Sequence, residues 1–368
     1  MAVQTAAVHS ASMRPSEEGT SPRPNIRRLP AEWEPQAAVL LAWPRADGDW
    51  SPYMADVAPS YARMAAAIAR HARIIVLADD AAPVTKALAG IPADRCLVVP
   101  QETNDTWTRD YGPITVLNDG RPELLDFTFT GWGLKYPADQ DNQATRRLHA
   151  KGLLGVAPVR TIGLALEGGG IESDGAGTIL TTSTCLLSPN RNPHLDKAGI
   201  EAELKRHLGA QRVLWLDHGE LQGDDTDAHI DTVARLCPSD TILHVACDDV
   251  HDSHYDGFQA MTAQLRSLRT ASGRPYRLVA LPWAAPRFAP DDGRRLPATY
   301  ANILFLNGAV LVPTYGEPDR DRAALAAVAN ACPGFAIEAV DCSALILQHG
   351  SLHCATMQIP TEVFTWKP

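Results

Sequence analysis

The chain has 368 residues, 45% hydrophobic and 21% charged, with a net charge of −10. That is enough for a substantial buried core, and the acidic balance disfavours a nucleic-acid backbone as partner. No apolar run approaches the roughly 18–20 residues of a membrane span. Seven cysteines, odd in number and without a CxxC pair, argue against a disulfide framework or zinc knuckle and point to a reducing cytoplasm.

In chain order, residues 1–24 (MAVQTAAVHSASMRPSEEGTSPRP) lack the apolar centre of a signal peptide and are rich in Ser, Pro and Thr. They predict a disordered tail ahead of one domain, residues 25–368. QAAVLLAWP (Gln36–Pro44) predicts a buried strand ended by proline. Asp56–His71 carries Met64, Ala65 and Ile68 at helical spacing, and ARIIVLAD and CLVVP (Cys96–Pro100) predict two more strands. The alternation continues, AGIEAELKRHLGA before RVLWLDH and DGFQAMTAQLRSLRTASG before YRLVALP, and it predicts an α/β fold.

Five segments place polar or small residues beside a strand-like run: WTRDYGPITV, EGGGIESDGAGTILTT, DAHIDTVARL, ANILFLNGAVLVP and GSLHCATMQIP. From Asp110 to Cys354 their mean spacing is about 61 residues, the signature of repeated supersecondary units around a common centre.

These segments present one thiol, one imidazole and three carboxylates. Asp110 precedes Gly112–Pro113, which ends any helix there. Glu167 precedes three glycines, Gly168, Gly169 and Gly170, that allow close backbone approach to a ligand. His229 and Asp231 stand two apart, as on one face of a strand. Cys354 follows a permissive Gly350. Singly, each is as well explained as a cap, a turn or a core residue; together they form a set suited to covalent catalysis. GGGI lacks the GxGxxG pattern of dinucleotide sites, and the HExxH pair of a metal hydrolase is missing.

The order WTRDYGP, GWGLKYPADQDN, EGGGIESDGAGTILTT, SPNRNP, GDDTDAHID and GSLHCATMQ, from about Leu29 to Pro360, resembles the agmatine deiminase family. That family belongs with the peptidyl-arginine deiminase-like, guanidino-group-modifying enzymes. The resemblance implies a five-bladed pseudo-symmetric α/β propeller of ββαβ units. It implies hydrolysis of agmatine to N-carbamoylputrescine and ammonia, in putrescine synthesis, with no metal or organic cofactor. It puts the nucleophile on Cys354, the general acid/base on His229, the guanidinium-binding aspartates on Asp110 and Asp231, and a further glutamate on Glu167. GSLHC stands where GGNIHC is usual, and AHID replaces GHVD.

In such a site two carboxylates grip the planar cation and concentrate charge at its carbon, so that a thiolate can attack it. Glu167 would hold either the histidine or a guanidinium nitrogen. GDDTD (Asp224, Asp225, Asp227) supplies Asp225 for a distal amine. Trp132 and Trp43 are candidates to line the linker, and Lys135 is a candidate anion contact. The partner is then a small guanidine, with no nucleic acid and no membrane, and a homodimer is left open. Deimination of free or C-terminal peptidyl arginine, and a non-catalytic guanidine-binding propeller, remain the alternatives.

Overall fold

QAAVLLA, RIIVLA and CLVVP form strands at Gln36–Ala42, Arg73–Ala78 and Cys96–Pro100, paired in parallel. Such strands are covered on both faces, so they read as unbroken apolar runs rather than alternating ones. The computed structural model describes residues 26–363, and the tail expected at 1–24 lies outside the described residues.

A parallel pair needs a crossover, and helices supply it. Met54–Ala69 joins the first two strands, beginning and ending slightly earlier than the predicted Asp56–His71. It buries Val57, Tyr61, Met64 and Ile68 as one stripe. Lys197–Leu208 is delimited by local chemistry. Asp196 accepts a hydrogen bond from the Gly199 N–H at its start, and Gly209 ends it in a left-handed turn at φ 71°.

One strand pattern recurs in five sheets: a first strand antiparallel to a second, and the second parallel to a third. It holds for Ile114–Asn118, Arg121–Thr128 and Val159–Ala165. It holds again for Ile171–Ser173, Thr178–Thr182 and Arg212–Leu216, and for Ala234–Cys237, Thr241–Val245 and Arg277–Leu281. The fourth sheet is Leu304–Leu306, Ala309–Thr314 and Ala336–Asp341. In the fifth, Met357–Pro360 from the chain's end pairs antiparallel with Gln36–Ala42 from its beginning. In each sheet a helix lies between the second and third strands: Ala144–Ala150, Lys197–Leu208, Tyr255–Ser267, Pro318–Ala331 and Met54–Ala69.

The buried apolar side chains form one cluster running from Ala38 to Val363. All seven cysteines are free thiols. Among the described residues no helix is long and apolar enough to cross a membrane. Each of the five segments picked out by spacing ends just ahead of, or runs into, the first strand of one of these sheets.

Candidate active site

The turn before each first strand supplies the site. Asp110 sits in the short helix Thr108–Tyr111, stopped at Gly112. Both of its carboxylate oxygens have protein donors: Gly169 N–H to Oδ1 at 3.0 Å and Trp132 Nε1 to Oδ2 at 2.9 Å. Burial pushes the Asp110 carboxyl up to about 6. Trp132 reaches it from a left-handed stretch in which Trp132 and Leu134 have φ of 56° and 70°. Such a backbone is costly for residues other than glycine.

His229 and Asp231 do not share a strand face. His229 precedes a 3-10 turn, Ile230–Thr232, and the strand begins only at Ala234. Asp227 and Ala228, at φ 63° and 61°, turn the chain just before it. Both side chains are fully buried nonetheless. His229 Nδ1 lies 3.6 Å from Asp110 Oδ1, and neither ring nitrogen has a hydrogen-bond partner among the described residues. Burial lowers the His229 pKa, but Asp110 and the other acidic groups around it prevail and raise it well above the usual value. The imidazole is thus biased toward its protonated form.

Cys354, 5% exposed, lies 3.8 Å through Sγ from Asp231 Oδ2. Burial, Asp231 and Asp110 push its thiol well above the usual value, against a donor from Asn302 Nδ2 at 3.2 Å. Asn302 Oδ1 also accepts from the backbone N–H groups of His353 and Cys354, at 2.8 and 3.2 Å. Burial raises Asp231 too, but His353, 2.7 Å away through Nδ1, brings it below the ordinary carboxylate range.

Gly169 is where these groups meet. A Cβ there would stand 2.6 Å from His229 Nδ1, 2.8 Å from Asp110 Oδ1 and 3.1 Å from Asp231 Oδ2. Gly169→Ala is therefore expected to cost about 100-fold or more in kcat/KM, since a displacement of about 1 Å has that effect on aligned groups. Steady-state kinetics on folded variant would check it; near-wild-type rates would show that the three groups are not crowded there.

Glu167 is held by Arg191, whose Nε lies 2.8 and 3.0 Å from its two oxygens, both side chains fully buried. Glu167, Cys185 and His229 have atoms within 4.8 Å of one another, as do Glu32, Glu172 and His353. Each group already contains a cation: Arg191 on Glu167 at 2.8 Å, and Arg235 on Glu172 and Glu32 at 2.5 and 2.8 Å.

Above Cys354 opens a pocket with about 480 Å³ of empty space. Trp50, Trp107, Trp132 and Tyr136 wall it, and Asp49, Asp105 and Asp225 line it with Asp110. Of the GDDTD acids only Asp225 faces it, bonded to the Tyr136 hydroxyl and 3.5 Å from Lys135 Nζ. Asp224 accepts from Thr226 and Ala228 as a turn residue, and Asp227 pairs with Arg191 and Lys135 at 2.6 and 2.8 Å. Lys135 is thus committed to aspartates and is no anion contact. Trp43 packs on Tyr61 at 5.9 Å between ring centroids and does not line the pocket; Trp50, from the same stretch, does.

Spacing alone missed Asn302, His353, Asp105 and Asp49. Asn302 lies in ANILFLN, a segment marked for its position but not for the asparagine ahead of its strand. His353 adjoins Cys354 in the chain, and Asp105 lies in the same run as Asp110.

The family described as Porphyromonas-type peptidyl-arginine deiminase matches residues 28–360. Agmatine deiminase of Ectopseudomonas mendocina (strain ymp) is 33% identical, over 93% of this chain and 97% of that one. A Porphyromonas gingivalis structure provisionally named arginine deiminase superposes with a TM-score of 0.86 at 46% identity, covering 92% of this chain and all of the other. A serine-for-cysteine form of C. jejuni agmatine deiminase with substrate bound superposes with a TM-score of 0.85 at 33% identity, covering 93% and 98%.

Proposed function

The chain belongs to the Porphyromonas-type peptidyl-arginine deiminase family, and from that premise we propose that it hydrolyses agmatine to N-carbamoylputrescine and ammonia. The observation that carries the choice of substrate is the pocket over Cys354. Asp49 and Asp105 line it without a basic partner among the described residues, and neither lysine nor arginine is among its lining. An elongated dication with an aliphatic middle fits acidic groups at both ends and aromatic walls between. The carboxylate of arginine would instead meet Asp49, Asp105 and Asp225.

Asp110 and Asp231 take the guanidinium edges, with Gly169 closing the backbone around them. With the cation bound, the Cys354 thiol loses its proton to solvent, and the thiolate adds to the guanidinium carbon and forms a tetrahedral adduct. His229 gives its proton to the departing nitrogen, so that ammonia leaves and a thiouronium remains on sulfur. Neutral His229 then takes a proton from water, whose oxygen adds to the same carbon; the C–S bond breaks and the new hydroxyl gives its proton to solvent, releasing the ureido product and the thiolate. Glu167, gripped by Arg191 beside His229, adds negative charge that favours the imidazolium.

A panel of agmatine, free arginine and a peptide ending in arginine, read by ammonia release, tests the substrate. Agmatine should lead arginine by about 100-fold or more in kcat/KM, because like charges brought together cost several kcal/mol. The P. gingivalis relative supplies the rival outcome, arginine ahead of agmatine, which would overturn the agmatine reading.

The pH profile tests the same pocket. Burial raises Asp105 to about 7 and Asp110 to about 6. Both bind a cation only when ionised, and kcat/KM reports the free enzyme. The ratio for agmatine should therefore fall as pH drops through 7 and 6. A flat profile down to pH 5 would count against binding by these carboxylates.

Of the domain expected over 25–368, the described residues 26–363 are proposed to form one propeller, the five sheets being its blades with the site on its axis. The recurrence of one strand pattern, and the closure of chain end on chain beginning, support that reading. Seven free thiols support a cytoplasmic setting.

A further inference from the structure

We propose that His353 is a positioning residue for guanidinium binding: it holds Asp231 by one carboxylate oxygen and so presents the other to the substrate. This rests on the reading above, in which Asp231 grips a guanidinium.

The two binding aspartates are not equivalent. Asp110 has protein donors on both oxygens. Asp231 has its contacts on Oδ2 alone, from His353 Nδ1 at 2.7 Å and the Cys354 thiol at 3.8 Å, while its Oδ1 is buried with no partner among the described residues. A buried, unpaired carboxylate oxygen is costly and calls for a ligand. The carboxylate torsion of aspartate is broad and two-fold, so an unheld group would exchange its oxygens freely. The imidazole pins it.

His353 is itself pinned. Its Nε2 lies 2.6 Å from Glu32 Oε2, which also accepts from Arg235 Nη2 at 2.8 Å. Glu32 Oε1 accepts from the Phe305 N–H at 2.8 Å, and the His353 N–H bonds to Asn302 Oδ1 at 2.8 Å. Both edges of the ring therefore face carboxylates, and the ring cannot turn without losing both contacts. The substrate pocket is lined by Asp110 and Cys354 but by neither Asp231 nor His353; Asp231 adjoins it through Cys354 Sγ, 3.8 Å from its Oδ2, and the His353 ring faces the cleft shared by Glu32, Arg109 and Glu172. It acts on the cation through Asp231.

Two substitutions separate this role from general support. An asparagine amide nitrogen falls near the imidazole Nδ1 and keeps a donor for Asp231; a glutamine amide nitrogen falls near Nε2 and does not. In the Cys354→Ser protein, His353→Gln should weaken calorimetric binding of guanidinium ion by about 10- to 100-fold, the usual scale for an outer partner. His353→Asn should stay within about tenfold. In the Cys354 protein, His353→Gln should raise KM more than it lowers kcat. Equal losses in both substitutions, tracking equal losses in melting temperature, would overturn the proposal. So would unweakened binding in His353→Gln.

Should the glutamine form fail to fold, 15N-histidine-labelled protein without a change at position 353 gives a second readout. The Nδ1–H signal that is lost in Asp231→Ala should move when guanidinium is added, and a stationary signal would overturn the assignment. If Cys354→Ser binds no guanidinium at all, the agmatine reading fails and the His353 assignment with it. If it binds and the two substitutions behave alike, only the assignment fails.

Discussion

Cys354→Ser is expected to lower turnover on the order of 10⁴-fold or more while guanidine binding persists, the scale seen when a catalytic nucleophile is removed. The hydroxyl has nearly the volume of the thiol but is far less readily ionised, and the site does nothing to ionise it. Even the thiol is pushed up by burial, Asp231 and Asp110. The same field has a consequence for chemical modification. Without ligand, a neutral alkylating reagent should react slowly with Cys354 below about pH 8, since a free thiol titrates near 8.5. A small inert guanidinium that leaves the sulfur exposed reverses the local charge, so it should speed the reaction. Single-turnover kinetics and mass-spectrometric labelling read the two effects. Substantial turnover by the serine form, or fast labelling of the empty site at neutral pH, would refute the account.

Asp231→Asn should produce two changes of opposite sign. Removing one partner of a buried charge pair costs about 2–5 kcal/mol, or about 30- to 4,000-fold in kcat/KM. Yet Asp231 is first among the acidic groups that disfavour the Cys354 thiolate. Its neutral replacement lowers the thiol pKa, so ligand-free labelling should become faster as catalysis becomes slower. A merely unfolded or loosened protein would not give that pair of results with an unchanged melting transition. Loss of both activity and reactivity would show that Asp231 supports the fold and does not set the charge around sulfur.

Much of this arrangement was legible one-dimensionally because its units are local. Gln36–Ala42, Arg73–Ala78 and Cys96–Pro100 are apolar runs whose lengths suit strands, and the segment around Met64 and Ile68 has helical spacing. Asp110, Glu167, His229, Asp231 and Cys354 stand out as a candidate set because each lies near a turn leading into a strand. The strand-like spacing of two between His229 and Asp231 misled, since a 3-10 turn intervenes where a strand was expected. Alternation carries no information about a backbone whose preceding residues, Asp227 and Ala228, lie in the left-handed region.

Local chemistry along the chain sets the elements and their repetition, because hydrophobic period and turn chemistry act over a few neighbouring residues. Which acidic groups stay free is settled by folding. Asp224, Asp225 and Asp227 are indistinguishable along the chain, but folding spends Asp224 on a turn, pairs Asp227 with Arg191 and turns Asp225 to the pocket. Trp43 and Trp50 part in the same way. Asn302, Glu32 and Arg235 come to the site from distant segments. Charge and burial at one point are sums over neighbours brought there by every sheet, and no short stretch of chain contains that sum.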